Sequence, residues 1–289
     1  MRNLVACLCL IFLPSAQAGT TIAEDDAFAW SANAGWINLH ADNTNGVIIG
    51  DAFASGYAWS GNVGWINFGD GSPANGHMYA NTSAADFGVN HDGAGRLTGY
   101  AYGANIGWIN FGWATASDPN RPRLDLFTGD MTGYAYSANL GWINLGSGFL
   151  RTESIRYADA DADGISDAWE MLHFGNTTTA NATDDADKDY VSDKDEFIAN
   201  TSPLNADSKL RILSYIEDNI GEQAEIQFTS APSRHYFIEH SENLSSWSDP
   251  YLAGIFAPSA GAITTRLFDH RPGTRWFFRV VAKLPLTPP

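Results

Sequence analysis

The chain has 289 residues, 44% apolar and 13% aromatic, with 28 glycines and 33 acidic against 16 basic side chains, for a formal net charge of −17. Such a balance repels phosphate backbones and anionic lipid and attracts cations, so nucleic acid is excluded as a partner. Abundant glycine and aromatic residues with few helix-forming charges predict a mainly β fold, and the length predicts two or three compact units.

Residues 1–18 read as an export signal. Arg2 precedes an unbroken apolar run from Leu4 to Leu13, and Ala16-Gln17-Ala18 offers a small-residue cleavage site, which predicts a mature chain from Gly19. About ten apolar residues fall short of the ~20 that span a bilayer, and no later stretch does better, so no transmembrane segment is expected in the mature chain. Cys7 and Cys9 are the two cysteines, and both leave with the signal. Disulfides therefore cannot staple the exported protein.

Residues 19–150 hold four related blocks: A-F-A-W-S-A-N-A-G-W-I-N-L from Ala27, Y-A-W-S-G-N-V-G-W-I-N-F from Tyr57, Y-A-Y-G-A-N-I-G-W-I-N-F from Tyr100 and Y-A-Y-S-A-N-L-G-W-I-N-L from Tyr134. Their anchoring tryptophans, Trp36, Trp65, Trp108 and Trp142, are 29, 43 and 34 residues apart, a repeat spacing with variable loops. Each block predicts a hairpin, with Asn33, Asn62, Asn105 and Asn139 in the turn beside Gly35, Gly64, Gly107 and Gly141. Runs near Val47–Ile49, Phe87–Val89 and Leu124–Leu126 predict a further strand per unit, giving an aromatic β-meander of about a dozen short strands.

Strand alternation places Trp36 with Asn38, Trp65 with Asn67, Trp108 with Asn110 and Trp142 with Asn144 on one face, and the intervening isoleucines on the other. Three arrangements are open. The rings pack between repeats as a core while the asparagines bond the next unit, or the Trp/Asn row is exposed as a glycan-binding platform, or it forms a protein-binding face. The blocks resemble tandem GYAWS/GWINF-type modules of exported bacterial proteins, a resemblance that implies no activity.

Residues 151–208 are the acidic segment, where eleven aspartates and two glutamates between Tyr157 and Ser208 face only Lys188 and Lys194. D-A-D-A-D-G-I-S-D-A-W-E, from Asp159 to Glu170, fits a twelve-residue EF-hand-like loop. Asp159, Asp161 and Asp163 supply three carboxylates, Ile165 a carbonyl, Asp167 a direct or water-mediated ligand and Glu170 a bidentate closure, with Gly164 at the sharp turn. A second loop repeats the pattern with Asp185, Asp187, Asp189, Val191, Asp193 and Glu196, but Tyr190 stands where glycine is expected. Left-handed backbone there costs a non-glycine residue about 1–2 kcal/mol, so the second site is expected to be weaker. Hard oxygen ligands in this number point to calcium. The segment resembles thrombospondin type 3 and dockerin calcium repeats, which implies a calcium-rigidified joint between domains.

Residues 209–289 alternate like strands near 210–215, 224–228, 236–240, 251–256, 262–268 and 275–282, which predicts a β-sandwich similar to a fibronectin type III module. His235, His240 and His270 have no ligand spacing and read as surface or core residues. The chain carries no nucleophile elbow, zinc-protease helix or phosphate loop, so it is read as non-catalytic. The leading expectation is a calcium-binding structural or adhesion protein that is secreted or at the cell surface, with the periplasm or outer envelope as an alternative setting; calcium is its expected partner, and polysaccharide or envelope components are further candidates. The alternatives are a lectin-like glycan-binding protein and, behind it, a hydrolase whose acids are dispersed in the sequence.

Overall fold

A computed structural model describes residues 19–42, 44–217, 223–247, 254–269 and 276–287. The expected signal peptide, with Cys7 and Cys9, and His270 lie outside the described residues. The fold is mainly β. Four hairpins, Ile22–Ser31 with Gly35–Asn38, Tyr57–Ser60 with Gly64–Asn67, Leu97–Gly103 with Gly107–Asn110, and Tyr134–Ser137 with Gly141–Asn144, join edge to edge in one antiparallel sheet. Successive hairpins meet where each Trp-Ile-Asn strand ends: Asn38 pairs with Trp59, Asn67 with Tyr102 and Asn110 with Tyr136. Asn144 then pairs back to Trp30, so the eight strands close into a barrel and the sheet of hairpins has no free edge.

An eight-stranded barrel has an interior just wide enough for side chains to fill. Its filling is small against large. Ala29, Ala58, Ala101 and Ala135 stand opposite Ile37, Ile66, Ile109 and Ile143 across each hairpin, and all eight are buried. The turns add Ala34, Val63, Ile106 and Leu140 as one buried end layer, and Leu39, Phe68, Phe111 and Leu145 follow beyond the isoleucines at the other end. Tryptophan is too large for such an interior. The expectation that the repeat rings form the core is therefore overturned: the rings point outward, and the face predicted to hold Ile is the inner one.

The turns also tie the hairpins together. Gly35, Gly64, Gly107 and Gly141 take the positive φ, between 68° and 82°, which leaves each turn asparagine free to reach the neighbouring hairpin. Asn62 Nδ2 donates to the Ala34 carbonyl, Asn105 to Val63, Asn139 to Ile106 and Asn33 to Leu140, at 2.9–3.0 Å. The four bonds form a closed ring around one end of the barrel. The strand asparagines expected to make that ladder act locally instead. Asn38, Asn67, Asn110 and Asn144 accept the backbone N–H two residues on, at 2.7–2.9 Å, and turn the chain out of the barrel. The longer connections at the other end carry the short strands Ile48–Ile49, Val89–His91 and Arg123–Leu124, and Leu150–Thr152 pairs with the first strand.

Beyond the barrel, helices α1 (Asp167–Phe174) and α2 (Asp193–Ala199) pack through Trp169 and Phe197 around a separate cluster with Ile165 and Ala180. The carboxy-terminal part stacks the strands Ile212–Glu217, Gln223–Thr229 and Ile263–Asp269 on the pair His235–Ser241 and Phe277–Lys283. Ile226 and Phe228 meet Tyr236 and Ile238 between the two layers. Of the strand predicted near 251–256, residues 251–253 lie outside the described residues and Phe256 bridges Tyr236.

Replacing a barrel isoleucine opens a cavity, whereas removing one turn amide loses one hydrogen bond. Ile66→Ala is expected to cost about 2–5 kcal/mol and Asn105→Ala about 1 kcal/mol in urea unfolding of the whole chain. A loss from Ile66→Ala no larger than that from an exposed-position control would contradict the inward Ala/Ile core.

Candidate functional site

The two acidic loops share four internal hydrogen bonds, and the second adds one from the Asp189 amide to Asp187 at 3.2 Å. In the first, Asp159 accepts from the amides of Asp163 and Gly164 at 3.2 and 2.9 Å, Asp163 accepts from Ile165 at 2.8 Å and Asp167 accepts from Ala160 at 2.9 Å. In the second, Asp185 accepts from Asp189 and Tyr190 at 3.1 and 2.9 Å, Asp189 from Val191 at 2.8 Å and Asp193 from Ala186 at 3.1 Å. These bonds fold each loop on itself. They bring one carboxylate oxygen from each of Asp159, Asp161 and Asp163, and likewise of Asp185, Asp187 and Asp189, within 4.8 Å of one another.

The last ligand positions lie on the helices. Asp167 and Asp193 open α1 and α2 behind the N-cap residues Ser166 and Ser192. Glu170 and Glu196 follow at i+3, which puts them on the same helix face as the loop end. Glu170 is 0% exposed, and neither carboxylate oxygen has a hydrogen-bond partner. Burial, reinforced by the carboxylates of Asp161, Asp163, Asp167 and Asp159, pushes its pKa up to about 7. Glu196 is equally buried. Its Oε1 accepts from Thr201 at 3.0 Å and its Oε2 is unpartnered; burial, with Asp187, Asp189 and Asp193 adding to it, pushes its pKa up to about 7 as well.

A hard divalent cation fits this donor set. Every candidate ligand atom is an oxygen, no histidine or cysteine enters either loop, and the positive charge would relieve the crowding that raises both glutamates. Ile165 and Val191 occupy the carbonyl-ligand positions of loops whose remaining positions are assembled as described. His235 contacts the Phe127 ring and His240 the Trp276 ring. Neither belongs to a metal-holding group among the described residues.

The loops differ in their lysines, which sequence spacing could not place. Lys194, from α2, donates to the Asp163 carbonyl at 3.3 Å, in space that the absent side chain of Gly164 leaves open. In the second loop, Lys209 lies 2.9 Å from Asp189 Oδ2, directly on a candidate ligand. The consequence appears in the carboxyls at that shared loop position. Burial, aided by Asp161 and Asp159, holds Asp163 above the usual range despite the Ile165 amide. Burial acts on Asp189 too, but hydrogen bonds from Lys209 and Val191 outweigh it and hold the group low. Tyr190 adopts φ 74° with the four shared bonds kept, and the residue is 98% exposed.

The acidic segment is bolted to both neighbours. Ser166 donates to Asp51 of the barrel connection, and His77 Nδ1 donates to the Ala168 carbonyl at 2.9 Å. Burial pushes Asp51 up to about 6, against the Ser166 hydrogen bond and the Arg234 charge. Arg234 of the carboxy-terminal part caps the end of α2, donating to the Phe197 and Ile198 carbonyls at 2.8 Å each. Sequence reasoning missed all three: Ser166 stands at the N-cap position of α1 but gives its hydroxyl to Asp51 and not to the helix, and Asp51 and Arg234 carry no local signal.

The second set of candidate residues encircles the barrel. Trp36, Trp65, Trp108 and Trp142 are 43–50% exposed. Each meets aromatic edges: Trp65 has Trp59 at 4.8 Å, Trp108 has Tyr102 and Phe87 at 4.9 Å, Trp142 has Trp113 at 4.7 Å and Trp36 has Phe149 at 5.7 Å. Asn38, Asn67, Asn110 and Asn144 are half-buried and engaged by backbone, so the rings, rather than the paired amides, are the exposed feature. Among the described residues no helix is long and apolar enough to cross a membrane. No protein-family model, curated protein or solved structure matches the chain.

Since Tyr190 is already left-handed in the folded loop, its strain weighs on folding more than on ion affinity. Tyr190→Gly is expected to raise stability by about 0.5–1 kcal/mol, net of glycine's own entropy, with little change in affinity. Lys209→Gln removes a charge from the site itself and is expected to tighten the weaker phase of a calorimetric calcium titration by about 1 kcal/mol, roughly fivefold. Tighter binding from Tyr190→Gly and none from Lys209→Gln would reverse this assignment.

Proposed function

We propose that this chain is an exported, non-catalytic calcium-binding protein of the cell surface or extracellular space. Two EF-hand-like loops serve as a rigid joint between an aromatic-belted barrel and a β-sandwich, and the protein has a structural or adhesive role. The observation that carries the reading is Glu170, a carboxylate buried among four aspartates with both oxygens unpartnered. An uncompensated charge in that position is destabilising, and a divalent cation coordinated by the same oxygens turns it into a ligand. The ligands of the first loop are Asp159, Asp161, Asp163, Ile165, Asp167 and Glu170, and those of the second are Asp185, Asp187, Asp189, Val191, Asp193 and Glu196.

Calcium acts here as a staple. Extracellular calcium modules bind at about 10⁻⁴–10⁻³ M, so at roughly 2 mM calcium each site contributes about 0.6–1.8 kcal/mol. That is enough to hold a segment whose own charges repel, in a mature chain without disulfides. Placement of Ser166, Phe197 and Lys209 at the contacts with both neighbours supports the joint role, since ordering the loops orders those contacts.

Limited proteolysis tests it. In chelator, the first cuts are expected between residues 157 and 208, and calcium at 2 mM is expected to slow them by about tenfold in the wild type and markedly less in Glu170→Gln. Equal cleavage with and without calcium would remove the joint from the proposal.

A further inference from the structure

The belt is not uniform. Each of the four repeat tryptophans lies against other rings, and beside Trp108 the connection between the second and third hairpins adds a wall. Asn81, Thr82 and Ser83 then face Phe87, Tyr100 and Trp108 across a groove of ≈ 440 Å³. The ring side is a corner: Phe87 stands at 86° to the indole with centroids 4.9 Å apart, and Tyr100 at 71° with centroids 6.0 Å apart. Trp108 itself remains 43% exposed.

The wall is held in place from behind. Asn81, at φ 57°, donates to the Tyr79 carbonyl at 3.2 Å and accepts from the Gly88 amide at 3.1 Å. Asp86 turns away from the groove and accepts the amides of Ala80 and Ala74 at 3.1 and 3.3 Å. Thr82 and Ser83 are exposed at the rim; the Ser83 hydroxyl accepts from the Ala85 amide at 3.3 Å and keeps its own proton to donate. A wall fixed before binding loses little entropy when a ligand enters.

The ligand chemistry follows from what lines the groove. No carboxylate, ammonium, guanidinium or imidazole does, so nothing there recognises a charge, and the chain's −17 disfavours an anionic ligand. The floor offers aromatic faces to flat C–H surfaces and the rim offers hydroxyls to hydroxyls. A pyranose ring combines those two surfaces in one unit, an apolar face with an equatorial hydroxyl edge. A peptide adding as a strand would need an open sheet edge, and the barrel has closed its own. We propose that the groove at Trp108 is a binding site for a neutral polysaccharide, with one sugar ring stacked on the Trp108 indole and its hydroxyl edge against Thr82 and Ser83. This supplies the adhesive reading above with a ligand, and it relies on that reading for its setting only, because no residue of the groove belongs to the calcium loops.

The test is retention of the whole chain on cellulose, chitin, β-1,3-glucan, mannan and xylan. Alginate serves as the acidic comparison, and a proline-rich peptide and phosphatidylcholine vesicles as non-sugar probes, each in calcium and in chelator. Binding to at least one neutral polysaccharide is expected, weaker on alginate, with Trp108→Ala at least about tenfold weaker and Trp65→Ala within about threefold of the wild type. Since Trp108→Ala also removes packing, Ala84→Arg is the companion variant. It places a long side chain on an exposed loop position beside the groove and is expected to block binding with an unchanged near-ultraviolet dichroism spectrum. Retention that survives Ala84→Arg, equal loss from Trp65→Ala, preference for the peptide or vesicles, or no retention on any neutral polysaccharide would overturn the site. Binding that persists in chelator, without calcium-dependent protection from protease, would leave the groove standing and remove the calcium joint.

Discussion

A carboxylate enclosed by protein must lose its charge, find a donor or meet a cation, and Glu170 has neither donor nor exposure. Glu196 meets the same constraint with one oxygen satisfied by Thr201. Around these two side chains the acidic segment and its contacts with both neighbours are organised. The helices that carry them bury Trp169 and Phe197 against each other, Ser166 holds the barrel through Asp51, and Arg234 holds the end of α2. A cation at each loop would convert the most unfavourable group in the segment into the one that fixes its geometry, and the contacts to both neighbours would tighten with it.

The barrel solves a different problem, that of stability without disulfides while large rings stay in water. Alanine facing isoleucine across every hairpin fills a narrow interior, two end layers of apolar residues seal it, and four asparagine amides ring the turn end. None of this uses tryptophan. Gly56, Gly99 and Gly133, ahead of Tyr57, Tyr100 and Tyr134, show how closely the connections pack at the other end: each has φ above 80°, and a Cβ there would lie 2.0–2.3 Å from a backbone carbonyl. The rings are therefore available for recognition because the scaffold does not depend on them for its centre.

The parts legible in the sequence are the local ones. The acidic loops were readable because their ligands recur at fixed short spacing and a helix start follows each. The repeat hairpins were readable because alternation separates Trp/Asn from Ile. Which face turns inward was not, since that depends on closure between Asn144 and Trp30, more than a hundred residues apart. Once the barrel is closed, the choice is steric: alanine and isoleucine fit inside and tryptophan does not. The asparagines were placed in the turns beside the glycines, but what they do there was not legible: glycine takes the positive φ and the amides bridge hairpins 28 to 107 residues distant in the chain. Lys209 on Asp189 and the wall beside Trp108 likewise arise from pairs with no local pattern, and they set the second loop apart from the first and Trp108 apart by its groove.

Equilibrium dialysis of the whole chain against calcium most directly addresses whether the buried glutamates are metal ligands. Saturation at two ions per chain is expected for the wild type and at one for Glu170→Gln, with near-ultraviolet dichroism showing that the variant remains folded. An uptake of no calcium by the wild-type chain, or an unchanged stoichiometry in folded Glu170→Gln, would contradict it.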